Sequence, residues 1–304
     1  MLEPLLVITN ADAGTSDEAR LDLALGVMRG RASVEVARTM NPGELDGVLH
    51  RAGTRRIVVA GGDGSLHAVL SVLHKRNELG HNQIGLLPLG TGNDFARSNG
   101  LPLDLEDAAE VALEGTPRPM DLIVDEVGTI VVNNVHVGAG AAASRRSVRW
   151  KHRLGRAGYK KLNLGKLGYP IGAAITAFDP PVIRLRVEVD GVVVNDFDRP
   201  VLMVAVGNGR SVGGGTDLVP EADPGDGWMD VMVSRAAGPL ARFGYATRLI
   251  LGTHHERTDV DYLRASTVSV VGEEFWVSAD GEVHGPERRR TWRIEPAAYE
   301  MVLP

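Results

Sequence analysis

Residues 61–65 (Gly-Gly-Asp-Gly-Ser) combine three glycines with a carboxylate and a hydroxyl. A β-branched run at 57–60 precedes them, and apolar residues at helical spacing follow from Leu66 onward, so the order is strand, turn and helix. The start of such a helix presents free N–H groups and the positive end of its dipole, which attract anions. A carboxylate at Asp63 in that place indicates an intervening cation such as Mg²⁺. An ordinary glycine-rich turn is the alternative.

A second strand–turn–helix unit follows at residues 86–97. Its turn contains Gly90 and Gly92, followed by the polar pair Asn93 and Asp94. Two such units, one βα step apart, are much harder to explain as ordinary turns than one.

Strands and helices alternate along the first part of the chain, beginning with an apolar run at 5–10. This rhythm predicts a parallel, Rossmann-like sheet with right-handed crossovers, in which ligands bind beyond the carboxyl ends of the strands. The predicted strand ends carry polar or glycine residues at Asn10, Thr39, 61–65 and 90–91. We therefore expect these residues to converge on one edge of the sheet.

The pattern changes to short strand-like runs from residue 120 onward, interrupted by one helical stretch at 237–251. We therefore expect an α/β domain at 1–122 and a mainly-β, sandwich-like domain at 123–294. The terminal segment 295–304 is predicted to return to the first domain.

The chain has 304 residues, of which 43% are hydrophobic and 24% charged, and no cysteine. The lack of cysteine excludes disulfides and fits a reducing compartment. We see neither a signal peptide nor an apolar run near the ~18 residues of a spanning helix, so we expect a cytoplasmic protein. The net charge of −6 argues against nucleic acid as a partner.

Residues 145–166 form a basic island, with nine Lys or Arg and no Asp or Glu. Aromatic and aliphatic residues, among them Trp150 and Tyr159, lie between the charges. This composition suits peripheral contact with an anionic membrane surface. A solvated helix face or a loop is the alternative.

The motif at 61–65 together with 88–96 (Pro-Leu-Gly-Thr-Gly-Asn-Asp-Phe-Ala) resembles the catalytic domain of diacylglycerol kinases, in particular the soluble bacterial lipid kinases. NAD kinases share the first motif but lack the second. The resemblance implies a fold like that of NAD and diacylglycerol kinases. It also implies that ATP phosphorylates a lipid hydroxyl at a membrane surface with the help of Mg²⁺. Diacylglycerol is the default substrate, and other lipid alcohols are alternatives.

The resemblance and the convergence of strand ends together predict the nucleotide site. Its expected residues are Asn10, Gly14, Thr39, Gly61, Gly62, Asp63, Gly64, Ser65, Leu66, His67, Thr91, Asn93 and Asp94. The family's first loop reads Asn-Pro-x-Ala/Ser-Gly, but Ala11 replaces the proline here and the lysine that often follows is missing. A basic phosphate contact from this loop is therefore in doubt.

Two later motifs are also shared with the family. Around Asp-Gly-x-x-Asp at 226–230, bacterial members bind a structural Mg²⁺, which implies the side chain of Asp226 and the carbonyls of Asp223 and Trp228 as ligands. At Asp-Gly-Glu, the resemblance implies that Asp280 or Glu282 is the base that deprotonates the lipid hydroxyl. The sequence does not choose between them, and Asp63 completes the predicted catalytic set.

Two other functions fit parts of the sequence: a small-molecule kinase like NAD kinase, and a noncatalytic relative that only binds membranes. A homodimer is also compatible with the sequence. The adjacent His254 and His255 are expected at the surface, because neighbouring helical positions face different directions and no zinc motif surrounds them.

Overall fold

The computed structural model describes residues 4–10, 15–139, 141 and 183–304. Gly14 and the basic island at 145–166 lie outside these residues, and so do the predictions made for them. The chain divides into two compact units. The first comprises Met1–Leu122, Gly128–Ile130 and Glu295–Pro304, and the second comprises Ile123–Val127 and Val131–Ile294. Gly128–Ile130, which sequence analysis assigned to the β-rich domain, therefore belongs to the first unit.

Helices alternate with parallel strands in the first unit. In chain order these are β1 (Leu5–Asn10), α1 (Thr15–Arg29), β2 (Val34–Thr39), α2 (Pro42–His50), β3 (Arg56–Gly61), α3 (Asp63–Lys75), β4 (Gln83–Pro88), α4 (Asp94–Ser98) and α5 (Leu105–Glu114). A 3₁₀ turn at Leu79–His81 precedes β4. The strands are hydrogen-bonded in the order β2–β1–β3–β4, all parallel. The predicted α/β domain with a parallel sheet is confirmed.

Both faces of this sheet are covered by helices, which explains why β3 and β4 are apolar and buried after their first residues. Leu66, Val69, Leu70 and Leu73 are all buried, so α3 uses the i, i+3, i+4, i+7 stripe visible in the sequence. Helix α1 packs against α5, and both contribute to one hydrophobic core with β1, β3 and β4. The helices thereby hold the carboxyl ends of the strands in a fixed register.

Three strands contribute residues to both units: β5 (Thr116–Asp125), β6 (Ile130–Val131) and β17 (Glu282–Leu303). The other elements of the second unit are β7 (Asn134–Gly138), β8 (Ile183–Val189), β9 (Val192–Asn195), β10 (Pro200–Val201), β11 (Met203–Gly207), β12 (Ser211–Val212), β13 (Thr216–Asp217), β14 (Met229–Ser234), α6 (Pro239–Ile250), β15 (Val260–Ala265) and β16 (Thr267–Ala279). A 3₁₀ turn at His254–Glu256 follows α6. The predicted mainly-β domain is confirmed.

Antiparallel pairing organises the second unit in the order β15–β14–β11–β7–β16, and the first part of β17 pairs with β16. Strand β8 also pairs with β16 and is flanked by β9 and β10. One core contains Phe275 and Trp292, and a second core lies beneath α6 around Tyr245. His254 is fully buried next to Tyr245 and its Nε2 lies 2.9 Å from the Leu218 carbonyl, so the expected surface position was wrong.

The last residues of β17 lie in the sheet of the first unit. Glu300 and Met301 pair in parallel with Gln83 and Ile84 of β4. Tyr299 and Met301 are buried there, so this segment contributes core side chains as well as a strand. Among the described helices, none has both the length and the apolar character needed to cross a bilayer.

Candidate active site

Four strand ends meet at the carboxyl edge of the first sheet, as their parallel order requires. Asn10 lies opposite Thr39 across the β1–β2 pair, and Gly61 lies opposite Pro88 across the β3–β4 pair. The glycine turns that follow β3 and β4 are therefore neighbours. This is the edge at which open α/β sheets bind their ligands.

The two glycine turns touch through their backbones. A Cβ added at Gly90 would lie 2.6 Å from the Gly62 Cα, and one added at Gly62 would lie 2.9 Å from the Gly90 Cα. A Cβ on Gly61 would meet the Ser65 Oγ at 2.3 Å, and the Leu89 N–H donates to the Gly61 carbonyl at 3.1 Å. Glycine is therefore needed here for the close approach of one turn to the other.

Asp63 joins the two turns. Its carboxylate accepts the backbone N–H groups of Asp94 at 3.0 Å and Phe95 at 2.9 Å, the first two residues of α4. An anion at a helix start satisfies N–H groups that have no partner within the helix. The role that the structure gives Asp63 is thus to position the second turn.

Asn93 provides an unsatisfied oxygen at the same place. The residue has left-handed backbone angles, with φ 53° and ψ 44°, and its Nδ2 donates to the carbonyls of Gly90 at 2.7 Å and Pro88 at 3.2 Å. Its Oδ1 is buried and has no hydrogen-bond partner in the part of the chain that the structure describes. A buried polar atom without a hydrogen bond costs free energy, and a ligand that bonded to the Asn93 Oδ1 would remove that cost.

Helix α3 begins directly at the first turn. Its N-cap, Gly62, has no side chain, and its carbonyl accepts the N–H groups of Ser65 and Leu66. Within the described chain the N–H groups of Asp63 and Gly64 have no acceptor. These donors at the positive end of a 13-residue helix suit an anion.

The remaining predicted nucleotide residues have different environments. Leu66 is fully buried, so only its backbone is available to a ligand. The His67 Nε2 lies 3.2 Å from the Ile130 carbonyl, which occupies that ring nitrogen. Thr91 is exposed, Thr39 is half-buried, and Asp94 is buried at the start of α4.

In the second unit, Asp280 holds a neighbouring turn by the same means. Its carboxylate accepts three backbone N–H groups, from Val132 at 2.7 Å, Asn133 at 2.8 Å and Asn134 at 3.2 Å. Its own N–H donates to the Asn134 carbonyl at 3.0 Å. Asp280 has a left-handed φ of 47° and is followed by Gly281 at φ 85°, which closes the tight turn between β16 and β17.

Sequence analysis missed residues 132–134, which connect β6 to β7. They connect two parts of the second unit, because Asn208, in the Gly-Asn-Gly stretch at 207–209, donates its Nδ2 to the Val132 carbonyl at 2.9 Å. The N–H groups of Asn208 and Gly209 both donate to the Asn133 carbonyl. Two adjacent asparagines inside an apolar run were the available signal.

Glu282 differs from Asp280 in its surroundings. Its side chain is 70% exposed, and its Oε2 lies 3.8 Å from the Nε2 of His284, which is also exposed. This carboxylate forms no other hydrogen bond or ion pair with the described residues. It is therefore available to a substrate, whereas both oxygens of Asp280 already accept hydrogen bonds.

The residues predicted to bind a structural Mg²⁺ have another partner in this structure. The Asp226 carboxylate forms an ion pair with Arg264, and its Oδ1 accepts the Trp228 N–H at 3.0 Å. The Arg264 guanidinium also lies over the Trp228 ring, 5.8 Å from its centroid. In the part of the chain that the structure describes, no three acidic or histidine side chains are arranged to hold a metal. The predicted ligands are one carboxylate and two backbone carbonyls, and the carboxylate is paired with Arg264 here, so the metal site stays a prediction.

A buried acid near this turn was not visible in the sequence pattern. Asp230 of β14 is almost fully buried, and none of the described residues forms a hydrogen bond with its Oδ2. Burial raises the pKa of Asp230 to about 6, and the hydrogen bond from Tyr262 partly opposes this rise. Burial also raises the pKa of the Tyr262 hydroxyl, so this pair is uncharged more often than exposed groups would be.

Comparison with known proteins places the chain in a family. A model of the diacylglycerol kinase catalytic domain matches residues 4–124, and a model of the YegS C-terminal NAD kinase beta sandwich-like domain matches residues 133–303. Proteins named "Probable lipid kinase YegS-like" are 31% identical in Stenotrophomonas maltophilia, over 98% of this chain and 95% of that protein, and 34% identical in Pseudomonas aeruginosa, over 99% and 94%. A "Diacylglycerol kinase" of Mycobacterium tuberculosis is 29% identical over 83% of this chain and 78% of that protein.

The fold is also similar to that of solved structures. A crystal structure titled as a diacylglycerol kinase from Bacillus anthracis has a TM-score of 0.75 and 20% identity, and the match covers 100% of this chain and 97% of that one. Another from the same organism has a TM-score of 0.81. Both the sequence and the fold comparisons agree with the paired glycine motifs, and the chain belongs to the YegS-like lipid kinases of the diacylglycerol kinase catalytic-domain family.

Proposed function

We propose that this protein transfers the γ-phosphoryl group of ATP to the free hydroxyl of diacylglycerol and so produces phosphatidic acid. The observation that carries the proposal is the contact between the two glycine turns, where the first N–H groups of α3 and the Asn93 Oδ1 have no partner among the described residues. These groups suit a phosphate chain and its counterion. Membership of a lipid kinase family supports a lipid as the acceptor.

ATP would bind at the carboxyl edge of the first sheet. The N–H groups of Asp63 and Gly64 would donate to phosphate oxygens, and Thr39 and Thr91 would contact the nucleotide. Bound Mg²⁺ would offset negative charge on the phosphates. The Asn93 Oδ1 suits such an ion as a neutral oxygen ligand, and each Asp63 oxygen retains a second lone pair beside the N–H bond it accepts.

Glu282 is the base that we assign, with Asp280 as a positioning residue. A proton that arrived on either oxygen of Asp280 would compete with the backbone N–H groups already donated there. Glu282 has no such engagement and is held next to Asp280 by the turn at Gly281. The lipid hydroxyl gives its proton to the Glu282 carboxylate while the oxygen of that hydroxyl attacks the γ-phosphorus. The bond from that phosphorus to the β–γ bridging oxygen breaks, and ADP leaves.

The test uses the purified full chain with γ-labelled ATP and Mg²⁺. Diacylglycerol, a sphingoid base and a monoacylglycerol are offered in mixed micelles, and soluble NAD is offered separately. We expect label on diacylglycerol, separated by thin-layer chromatography. Label on NAD would support the small-molecule kinase instead. No transfer to any acceptor, with the fold intact by circular dichroism, would overturn the proposal in favour of a noncatalytic relative.

A further inference from the structure

Helix α6 has two apolar faces, and the residues that the structure describes cover only one of them. Ala241, Tyr245 and Leu249 point inward and pack on the second core of the β-rich unit. On the other side, Leu240, Phe243, Ile250 and Leu251 are between 69% and 88% exposed. With 3.6 residues per turn, these four cover an arc of only about 100°. They form a mainly apolar stripe, interrupted by the exposed Thr247 and extended by the C-cap residue Leu251, which is named here the outer face of α6.

Positive charge accompanies this stripe. Residues 235–255 contain three arginines and no carboxylate in a chain of net charge −6. Arg235 is paired with Asp261, but Arg242 and Arg248 have no carboxylate partner among the described residues. Arg248 is exposed next to the stripe. An apolar face with an exposed arginine at its border has the composition of helices that lie in the interface of a membrane.

We propose that the outer face of α6 docks this protein on an anionic lipid bilayer. The choice of a lipid surface rests on the proposed function, since the acceptor lipid resides in a membrane. Charge complementarity with anionic headgroups favours this occupant. A second copy of the chain fits less well. The 12 residues of α6 are roughly 18 Å long, so the stripe offers ~200 Å², against about 800 Å² per partner in a standard protein interface.

The principal test measures binding to vesicles of phosphatidylcholine with phosphatidylglycerol by flotation. The variant carries Leu240→Gln, Phe243→Gln and Ile250→Gln. The matched control carries Leu23→Gln, Val127→Gln and Val192→Gln, three exposed apolar residues on other elements. We expect at least a tenfold loss of vesicle binding for the α6 variant and less than a twofold change for the control. The basic island at 145–166 is intact in both, so its contribution cancels.

A charge variant separates the electrostatic part. Arg248→Glu should weaken binding to anionic vesicles severalfold in low salt, with a difference that shrinks at high salt and on pure phosphatidylcholine. Equal binding of wild type and the α6 variant would overturn the proposal. It would also fail if the α6 variant kept its vesicle binding but changed from dimer to monomer in light scattering, since that outcome identifies a second copy as the occupant.

The docking proposal and the kinase proposal can fail separately. Phosphorylation of short-chain diacylglycerol in detergent micelles needs no bilayer, so the α6 variant should match wild type there and fall behind only on vesicles. Loss in both formats, with unchanged melting, would place the outer face in the reaction itself and overturn a pure docking role. Vesicle binding that depends on α6 in a protein that phosphorylates no lipid would refute the kinase and leave docking intact.

Discussion

In the turn after β3 and in the turn between β16 and β17, an aspartate carboxylate fixes a neighbouring turn by accepting its backbone N–H groups. Each has an aspartate within two residues of a strand end, and each aspartate accepts N–H groups from a neighbouring turn: Asp63 from Asp94 and Phe95, and Asp280 from residues 132–134. The first turn leads into a helix and the second joins a hairpin. In both, the aspartate of the motif positions the neighbouring turn. Close to Asp63 the Asn93 Oδ1 accepts no hydrogen bond from the described residues, and close to Asp280 the same is true of the Glu282 carboxylate.

The largest effect should come from the unengaged carboxylate of the second turn. Glu282→Gln should lower the turnover number for lipid phosphorylation by about 10²–10⁴-fold, the range for loss of a general base, and leave the melting temperature unchanged. Glu274→Gln, which alters an exposed acid elsewhere on β16, is the matched control. Turnover that survives in Glu282→Gln would remove this residue from the reaction.

The two positioning aspartates should differ in stability. Asp280→Asn should lower the free energy of unfolding by about 3 kcal/mol, because an amide nitrogen would face backbone N–H groups that need an acceptor. Asp63→Asn should cost less, about 1–2 kcal/mol, because it serves two donors at a partly exposed helix start. Urea unfolding measures both. A larger loss for Asp63 would reverse the comparison.

Acid should act mainly on the second unit, where burial shifts the pKa of described groups. Burial lowers the pKa of His136 to about 4, so between pH 6.5 and 4 the unfolded chain takes up a proton that the folded chain refuses. Stability is therefore lost as pH falls through this window, by as much as about 3 kcal/mol. His136→Gln should remove this loss in urea unfolding at pH 7 and pH 4.

Asp230 should change stability with pH in the direction opposite to His136. Its pKa of about 6 is above the ordinary value for aspartate, so the folded chain binds a proton more readily than the unfolded chain as pH falls through 6. Asp230→Asn should therefore lose more stability in acid than wild type, while His136→Gln loses less. Identical pH profiles for the two variants would show that neither group titrates as described.

The contact between the glycine turns can be tested by a single methyl group. Gly90→Ala should destabilise the first unit by about 1–3 kcal/mol and abolish nucleotide binding, because the added Cβ meets the Gly62 backbone. Gly26→Ala, on α1 with open space around its Cα, should be neutral or slightly stabilising. Calorimetric ATP titration and thermal melting report both effects. Tolerance of Gly90→Ala would mean that the turns can separate without consequence.

The smallest effect should be that of metal removal on the second unit. A chelator should not change the melting temperature, because Arg264 already pairs with Asp226. Arg264→Gln should cost at most about 1 kcal/mol, as for other partly exposed ion pairs. In this variant, added Mg²⁺ should raise the melting temperature, since Asp226 is freed. If a chelator lowered the melting temperature of the wild type, the result would support the metal site predicted at Asp226.

The sequence predicted what local patterns encode. Residue patterns within short segments indicated the helical stripe of α3, the strand ends at Thr39 and Gly61, and the change to short strands after residue 120. The roles of Asp63 and Asp280 were not visible, because their nearest hydrogen-bond partners are 31 and 146 residues away along the chain. Arg264 was missed for the same reason: its pairing with Asp226 depends on the register of β14 and β15.

Because Glu300 and Met301 pair with β4, the first sheet cannot be completed until the end of the chain has been synthesised. During synthesis β4 emerges long before its last neighbour, so one edge of the first sheet has no partner until more than two hundred further residues have been added. An unpaired strand edge is a site for association with other chains. A nascent chain stalled in the β-rich unit would thus expose this edge, and chaperones that cover unpaired strands would be needed most at that stage.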